Sequence, residues 1–185
     1  LEQIVQLQPD LVLAGQFSAL LLRERLRTLG YRVEVMPLPS TLEQVEAYER
    51  RLLDLIGRDP ALAATAPPPT TLDERAPRLL LLDANAIGTG PETFEHRILE
   101  QAGWRNYLQT PGLVQLDLEQ IVSDPPDAML FAAPEHQALA NRFAEHPVLR
   151  RAVPADHWLS TDNWRWQCPG PWTSDLIRQL NQWLD

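Results

Sequence analysis

One fifteen-residue phrase occurs twice in this chain, and the repeat constrains the fold more than any other feature. Leu1-Glu2-Gln3-Ile4-Val5 leads through three spacers to Pro9-Asp10 and the apolar stretch Leu11 to Ala14. The pattern returns 117 positions on as Leu118-Glu119-Gln120-Ile121-Val122, three spacers, Pro126-Asp127 and Ala128 to Ala132. Eight of the fifteen aligned positions are identical, with no gap. A short helix with a Glu in its first turn, a Pro-Asp break and a buried strand are therefore expected in each half.

Between the copies the sequence reads as alternating strands and helices. Leu11 to Ala14, closed by Gly15, suits a strand buried on both faces. Ala19, Leu22, Leu26 and Leu29 recur at helical spacing before Gly30, so 18–29 is expected to be an amphipathic helix with a left-handed cap. Tyr31 to Met36 alternates as a second strand, which completes a right-handed βαβ unit. Ser40-Thr41-Leu42-Glu43 has the form of a capping box with Ser40 at its head, opening a helix to about Ile56 with Val45, Leu52, Leu55 and Ile56 on its apolar side. Gly57 to Pro77, with Pro67, Pro68 and Pro69, has no helical period and reads as a stiff linker.

The second half opens on Arg78 to Asp83, another buried strand, then a loop over Ala84 to Gly90. Pro91 fits the first position of a helix running to Ala102, because its missing N–H costs nothing there. Asp117 suits an N-cap for the second copy of the phrase. Residues 128–132 form the next strand, Pro134 to Glu145 a helix, His157 to Ser160 a short edge strand, and 172–184 a final helix packing Leu176, Ile177, Leu180 and Leu184. Alternation of this kind is α/β with parallel sheets in two lobes. The lobes are placed at 1–57, including a connecting helix, and at 78–185, with 58–77 as linker.

Composition excludes several classes of function. Carboxylates outnumber Lys and Arg 25 to 16, for a net charge of −9, the opposite of a phosphate-binding surface, so nucleic acid is not an expected partner. No apolar run approaches the roughly 18 residues of a membrane span. Cys168 is the single cysteine, which excludes an intramolecular disulfide scaffold. His96, His136, His146 and His157 lack the spacing of a metal site, so no bare metal is expected. Ser18 has no nucleophile elbow around it, and Gly88-Thr89-Gly90 lacks the Lys of a phosphate loop. No nucleophile and base come together, and an enzyme is not expected.

Four stretches, in order, resemble the periplasmic substrate-binding proteins of the ABC importers for iron-siderophores, haem and cobalamin. They are Glu2-x-Ile4-x-x-Leu7-x-Pro9-Asp10-Leu11-Val12; Gly90 with Thr93-Phe94 leading to Ile98-Leu99-x-x-Ala102-Gly103-x-x-Asn106; Leu118-Glu119-x-Ile121 through Pro126-Asp127; and Gly170-Pro171 before the last helix. The resemblance implies two Rossmann-like lobes joined by a long helix, with the ligand held between them. It also implies a periplasmic location and an inner-membrane permease as partner. Against that pattern the N-terminal lobe lacks its first strands ahead of Leu1, and the connecting helix is cut short near Gly57. A degenerate relative serving as a protein-interaction scaffold is the competing expectation.

The resemblance also assigns residues. Glu2 and Glu119 match the carboxylates that dock each lobe to the permease; equally, each complements a helix dipole, worth about 0.3–1 kcal/mol. In such folds ligands lie beyond the carboxyl ends of the strands. That edge comprises Gly15-Gln16-Phe17, Pro37-Leu38, Ala84-Asn85-Ala86 and Ala133-Pro134, and the resemblance adds Trp164-Arg165-Trp166. Gln16, Phe17, Asn85, Trp164, Arg165 and Trp166 are thus the expected ligand contacts, since flat aromatic walls with one cation suit a macrocycle or an anionic ferric chelate. The alternative is that one Trp packs in the core and the other shields the Arg stem. Trp104 and Trp158 read as packing residues, Cys168 as structural, and Asp10 and Asp127 as residues opposite the ligand edge. No cofactor is expected; a metal would arrive inside its chelator.

Overall fold

The computed structural model describes residues 1–65, 67–68, 71–133 and 142–184. By packing the chain divides into two units, Leu1–Pro39 and Ser40–Asp185. The division falls before the expected connecting helix, which belongs with the second unit.

The first unit is a helix followed by a βαβ motif: α1 (Glu2–Leu7), β1 (Val12–Gly15), α2 (Leu20–Thr28) and β2 (Val33–Met36). The two strands pair in parallel, Val12 opposite Val33 and Gly15 opposite Met36. Leu26, Val33 and Met36 are its buried apolar side chains. Gly30 takes φ +90° directly after α2, the left-handed stop its sequence position predicts. The strand β1 alternates half-buried and exposed residues, where a strand buried on both faces is expected.

The second unit is built on the strand β3 (Arg78–Asp83). Its leucines are consecutive, and the two-residue period of a strand sends them alternately to opposite faces. Leu79 and Leu81 join Ala128, Leu130 and Ala132 of β7 (Ala128–Ala133) in one core, closed by α4 (Phe94–Gln101) and α8 (Trp172–Gln182). Leu80 and Leu82 join Met129 in the other, with Ile121 of α5 (Leu118–Ser123) and Leu149 of α6 (Pro147–Ala152). Full burial is worth about 1.5–3 kcal/mol for each such side chain, so this strand alone anchors both layers.

The strand β8 (Trp158–Asp162) pairs in parallel with β7, and β7 with β3. On its other side β3 has two partners. Its first residues pair in parallel with β5 (Arg105–Asn106), and its last pair antiparallel with β4 (Ile87–Thr89), which in turn pairs with β6 (Leu113–Gln115). The expected 84–90 loop is therefore a short 3₁₀ turn, Ala84–Ala86, and a strand. Antiparallel pairing with β6 satisfies backbone groups that a loop would leave to water.

Several boundaries shift for local reasons. Thr41, not Ser40, caps α3 (Leu42–Leu55): its hydroxyl accepts from the Gln44 N–H, and Gln44 rather than Glu43 reaches back to Ser40. The box is displaced by one residue. Pro91 lies outside α4, which starts after Thr93. The 58–77 stretch contains a 3₁₀ turn, Pro60–Leu62, and the Ala64 N–H donates to the Glu49 carboxylate of α3. A helix of four residues, α7 (Trp164–Gln167), follows β8. Most of the helix expected from Pro134, including His136, lies outside the described residues.

Candidate functional site

The parallel strands of the second unit end at Asp83, Ala133 and Asp162. Beyond that edge β3 passes into a strained turn. Asn85 has φ 60° and ψ 27°, and Ala86 has φ 57°. For residues other than glycine this left-handed conformation costs on the order of 1 kcal/mol or more, least for Asn, and it persists only where surroundings hold it. Here they do. The Asp83 carboxylate accepts from the Ala84 N–H at 2.7 Å, and the Leu116 N–H donates to the Ala86 carbonyl at 2.8 Å. The Gln115 amide donates to the carbonyls of Asn85 and Ala86 at 3.2 and 3.0 Å. Asn85 is thereby left exposed at the carboxyl edge.

A second clamp lies after β4. The Gly90 N–H donates to the Gly112 carbonyl and the Gly112 N–H to the Pro91 carbonyl, both at 2.8 Å. A Cβ on Gly90 would stand 1.9 Å from the Thr110 carbonyl oxygen, so the close approach excludes any side chain. Thr93 donates to the Gly90 carbonyl and accepts from the His96 N–H, which makes it both loop tie and N-cap. Below the loop, buried Asn106 has its orientation fixed by backbone groups: its oxygen accepts from the Leu108 N–H, and its nitrogen donates to the Thr89 carbonyl. The same nitrogen lies 3.2 Å from His96 Nδ1, so that ring atom is the acceptor and Nε2–H faces Glu100 at 3.3 Å. Burial raises the Glu95 carboxyl above its ordinary value; the bond from its own backbone N–H opposes this, and the charge of Asp83 adds to it.

The aromatic stretch after β8 divides between surface and core. Trp164 is 49% exposed and stands edge-on to Trp172, centroids 5.0 Å apart at 71°. Arg165 donates to the Gln179 side chain at 2.8 Å. Trp166 is 3% exposed; its indole N–H donates to Thr161 at 2.6 Å, and its ring packs among Leu176, Ile177 and Leu180. Trp166 is thus a core residue and offers no face to a ligand, contrary to expectation. The expected packing roles of two others agree with their positions: Trp104 is buried with its N–H on the Leu180 carbonyl, and Trp158 lies under the Arg150 guanidinium. Asn85 follows β3 and Trp164 follows β8, the two strands that flank β7 at this carboxyl edge.

In the first unit Gln16 and Phe17 form the turn after β1. Phe17 is 83% exposed. Arg23 of α2 donates to the carbonyls of Gly15 and Gln16 and ties the turn to its helix. Leu20 and Leu21 are exposed beside it in sequence, so this strand end sets apolar side chains beside the polar Gln16 and Ser18. The docking candidates Glu2 and Glu119 are both exposed in the first turn of their helices. Asp10 and Asp127 stand before β1 and β7, at the opposite ends of those strands.

Sequence reasoning did not find Gln115 or Arg23. Gln115 lies on a three-residue strand with no local signature, and Arg23 reads as a solvated helix residue. Among the described residues no three His, Cys, Asp or Glu side chains cluster as a metal site, and no helix is long and apolar enough to cross a membrane.

No family model matches the chain, and no curated protein matches it in sequence. Solved structures match it in fold. The periplasmic heme binding protein HutB of Vibrio cholerae aligns with TM-score 0.74 at 18% identity, over 99% of this chain and 79% of its own. A periplasmic heme binding protein from Pseudomonas aeruginosa aligns at 0.69 and 23%, over 97% and 73%. An ABC-type Fe3+-hydroxamate transport system protein from Saccharomonospora viridis DSM 43017 aligns at 0.61 and 20%, over 98% and 71%. The chain therefore has the two-lobed α/β fold of these solved structures, as its four sequence stretches imply.

Proposed function

We propose that this protein is a non-enzymatic binding component of an ABC importer that captures an iron chelate, haem or a ferric hydroxamate, and delivers it to a membrane permease. The observation that carries this reading is the fold likeness over nearly the whole chain to binding proteins for those two ligand classes. The carboxyl edge supports it chemically. Trp164 offers an aromatic face for a macrocycle or a chelate ring, Asn85 a donor and an acceptor, and Arg165 a cation for a ligand carboxylate. In the first unit, Gln16 and exposed Phe17 are the corresponding contacts. Such a protein works outside the cytoplasmic membrane, where its permease partner takes the ligand.

Glu2 and Glu119 are the docking carboxylates in this reading. Exposed charges of one sign favour encounter with basic permease loops and fix orientation more than they add affinity. Purified protein titrated with haemin, ferric desferrioxamine and cobalamin, followed by tryptophan fluorescence and calorimetry, tests the reading. Saturable binding of an iron chelate is expected. Silence towards all three, in a chain shown by circular dichroism to be folded, would overturn it.

A further inference from the structure

We propose that Gln115 is the positioning residue of the ligand-facing turn: from β6 it holds two consecutive left-handed residues in place and so presents Asn85. The inference rests on the iron-chelate reading for the identity of the site, and on geometry for everything else. Asn85 and Ala86 both take positive φ, and Ala86 has no side-chain polar group to offset the strain. The turn must be held from outside. Gln115 stands opposite Ile87 in the β4–β6 register, and its amide reaches back along the chain to both strained residues.

The amide is matched to this task. One NH2 carries two hydrogens, and here it serves two carbonyls, those of Asn85 at 3.2 Å and Ala86 at 3.0 Å. The Ala86 carbonyl takes a second donor, the Leu116 N–H, so both lone pairs are used. A carboxylate in place of the amide would set its own lone pairs against two carbonyl oxygens. Alanine would remove both bonds and free the turn to relax towards the right-handed region, which would swing Asn85 out of position. Gln115 makes its effect through the backbone of Asn85, without touching ligand.

The test combines hydrogen exchange with binding of haemin and ferric desferrioxamine to the full chain. The Ile87 N–H bonds to the Ala84 carbonyl across the turn, and its exchange rate reports whether the turn is closed. Gln115→Ala is expected to speed that exchange and to weaken binding of the chelate roughly tenfold, as two partly exposed hydrogen bonds allow. Gln115→Glu is expected to weaken it further. Ala86→Gly in the Gln115→Ala background is expected to restore most of the affinity, because glycine takes φ near +57° without a Cβ penalty. That rescue is the signature a merely stabilising Gln115 would not give. Unchanged exchange and affinity in Gln115→Ala would overturn the proposal; so would faster exchange with unchanged affinity, or failure of the rescue. If the wild-type chain binds neither probe, the iron-chelate reading fails and Gln115 is left without a ligand to position, while normal Ile87 exchange in Gln115→Ala would refute the clamp by itself.

Discussion

The two copies of the Leu-Glu-Gln-Ile-Val…Pro-Asp phrase fold alike and are held differently. Each gives a six-residue helix and a following strand. In the second copy Ile121 is 1% exposed, whereas its counterpart Ile4 is half-buried and α1 has no buried residue. Asp117 caps α5 through the Glu119 N–H, but Leu1 has no side-chain bond to give α1. The spacers differ most. Asp124 takes a paired contact from Arg78, and Asp127 accepts the Arg78 backbone N–H at 2.7 Å. The first copy has Leu7 and Gln8 at the last two spacer positions, where the second has Asp124 and Pro125, and its helix ends instead on a left-handed Gln8, φ 45°. Local sequence sets local conformation in both; tertiary partners decide how firmly it is held.

That contrast can be broken by substitution. Ile121→Ala should cost about 2–4 kcal/mol in urea unfolding, as expected of a fully buried side chain, and Ile4→Ala less than about 1.5 kcal/mol. Equal losses would mean that the first copy is as deeply packed in solution as the second. Asp117→Ala should cost about 1 kcal/mol through the lost cap, with no counterpart at Leu1. Asp127→Ala should cost about 1 kcal/mol by orphaning the Arg78 N–H, against a negligible change for Asp10→Ala.

Acid should sharpen the same difference. The Arg78 hydrogen bonds, and then its charge, hold the Asp124 carboxyl below its ordinary value. A lowered carboxyl contributes stability that is present above its unfolded value and is lost as pH falls through its folded one. The loss belongs below about pH 4. Asp124→Asn should therefore flatten the stability profile in that acid window and leave its shape at neutral pH unchanged, as pH-dependent urea midpoints would reveal. The smallest effect is expected from Glu2→Ala with Glu119→Ala: stability within about 0.5 kcal/mol, chelate affinity unchanged, and uptake by cells lowered. Lost affinity would remove both from the docking role.

What the sequence made legible was whatever is decided within a few residues. The Leu79–Leu82 run announced a strand buried on both faces, and Gly30, at positive φ, announced a helix end. Asp117 as a cap was equally local. The β4–β6 extension was not legible, because strands of three residues gain their stability from partners about 25 positions away. The Gln115 clamp depends on that pairing and was hidden with it. Trp166 was misjudged for a different reason. Once 164–167 is known to be helical, side chains two apart point roughly 200° from each other, so Trp164 and Trp166 cannot both face the same ligand. Thr41 displaced Ser40 because either hydroxyl can cap, and only backbone geometry chooses.

The division of the tryptophans has an optical consequence. Trp104 and Trp183 are tilted at 44° with centroids 5.2 Å apart against the core, while Trp164 and Trp172 meet nearly perpendicular at the surface. Each pair is close enough for its indole transitions to couple, so each should contribute its own couplet to the ultraviolet circular dichroism. An absorbing ligand such as haemin would drain emission from every indole within energy-transfer range, wherever it sat. The couplets respond only to changes in ring geometry. A perturbed Trp164–Trp172 couplet alongside an unchanged Trp104–Trp183 couplet would therefore locate an arriving chelate at the end of β8, by a signal the core tryptophans cannot imitate.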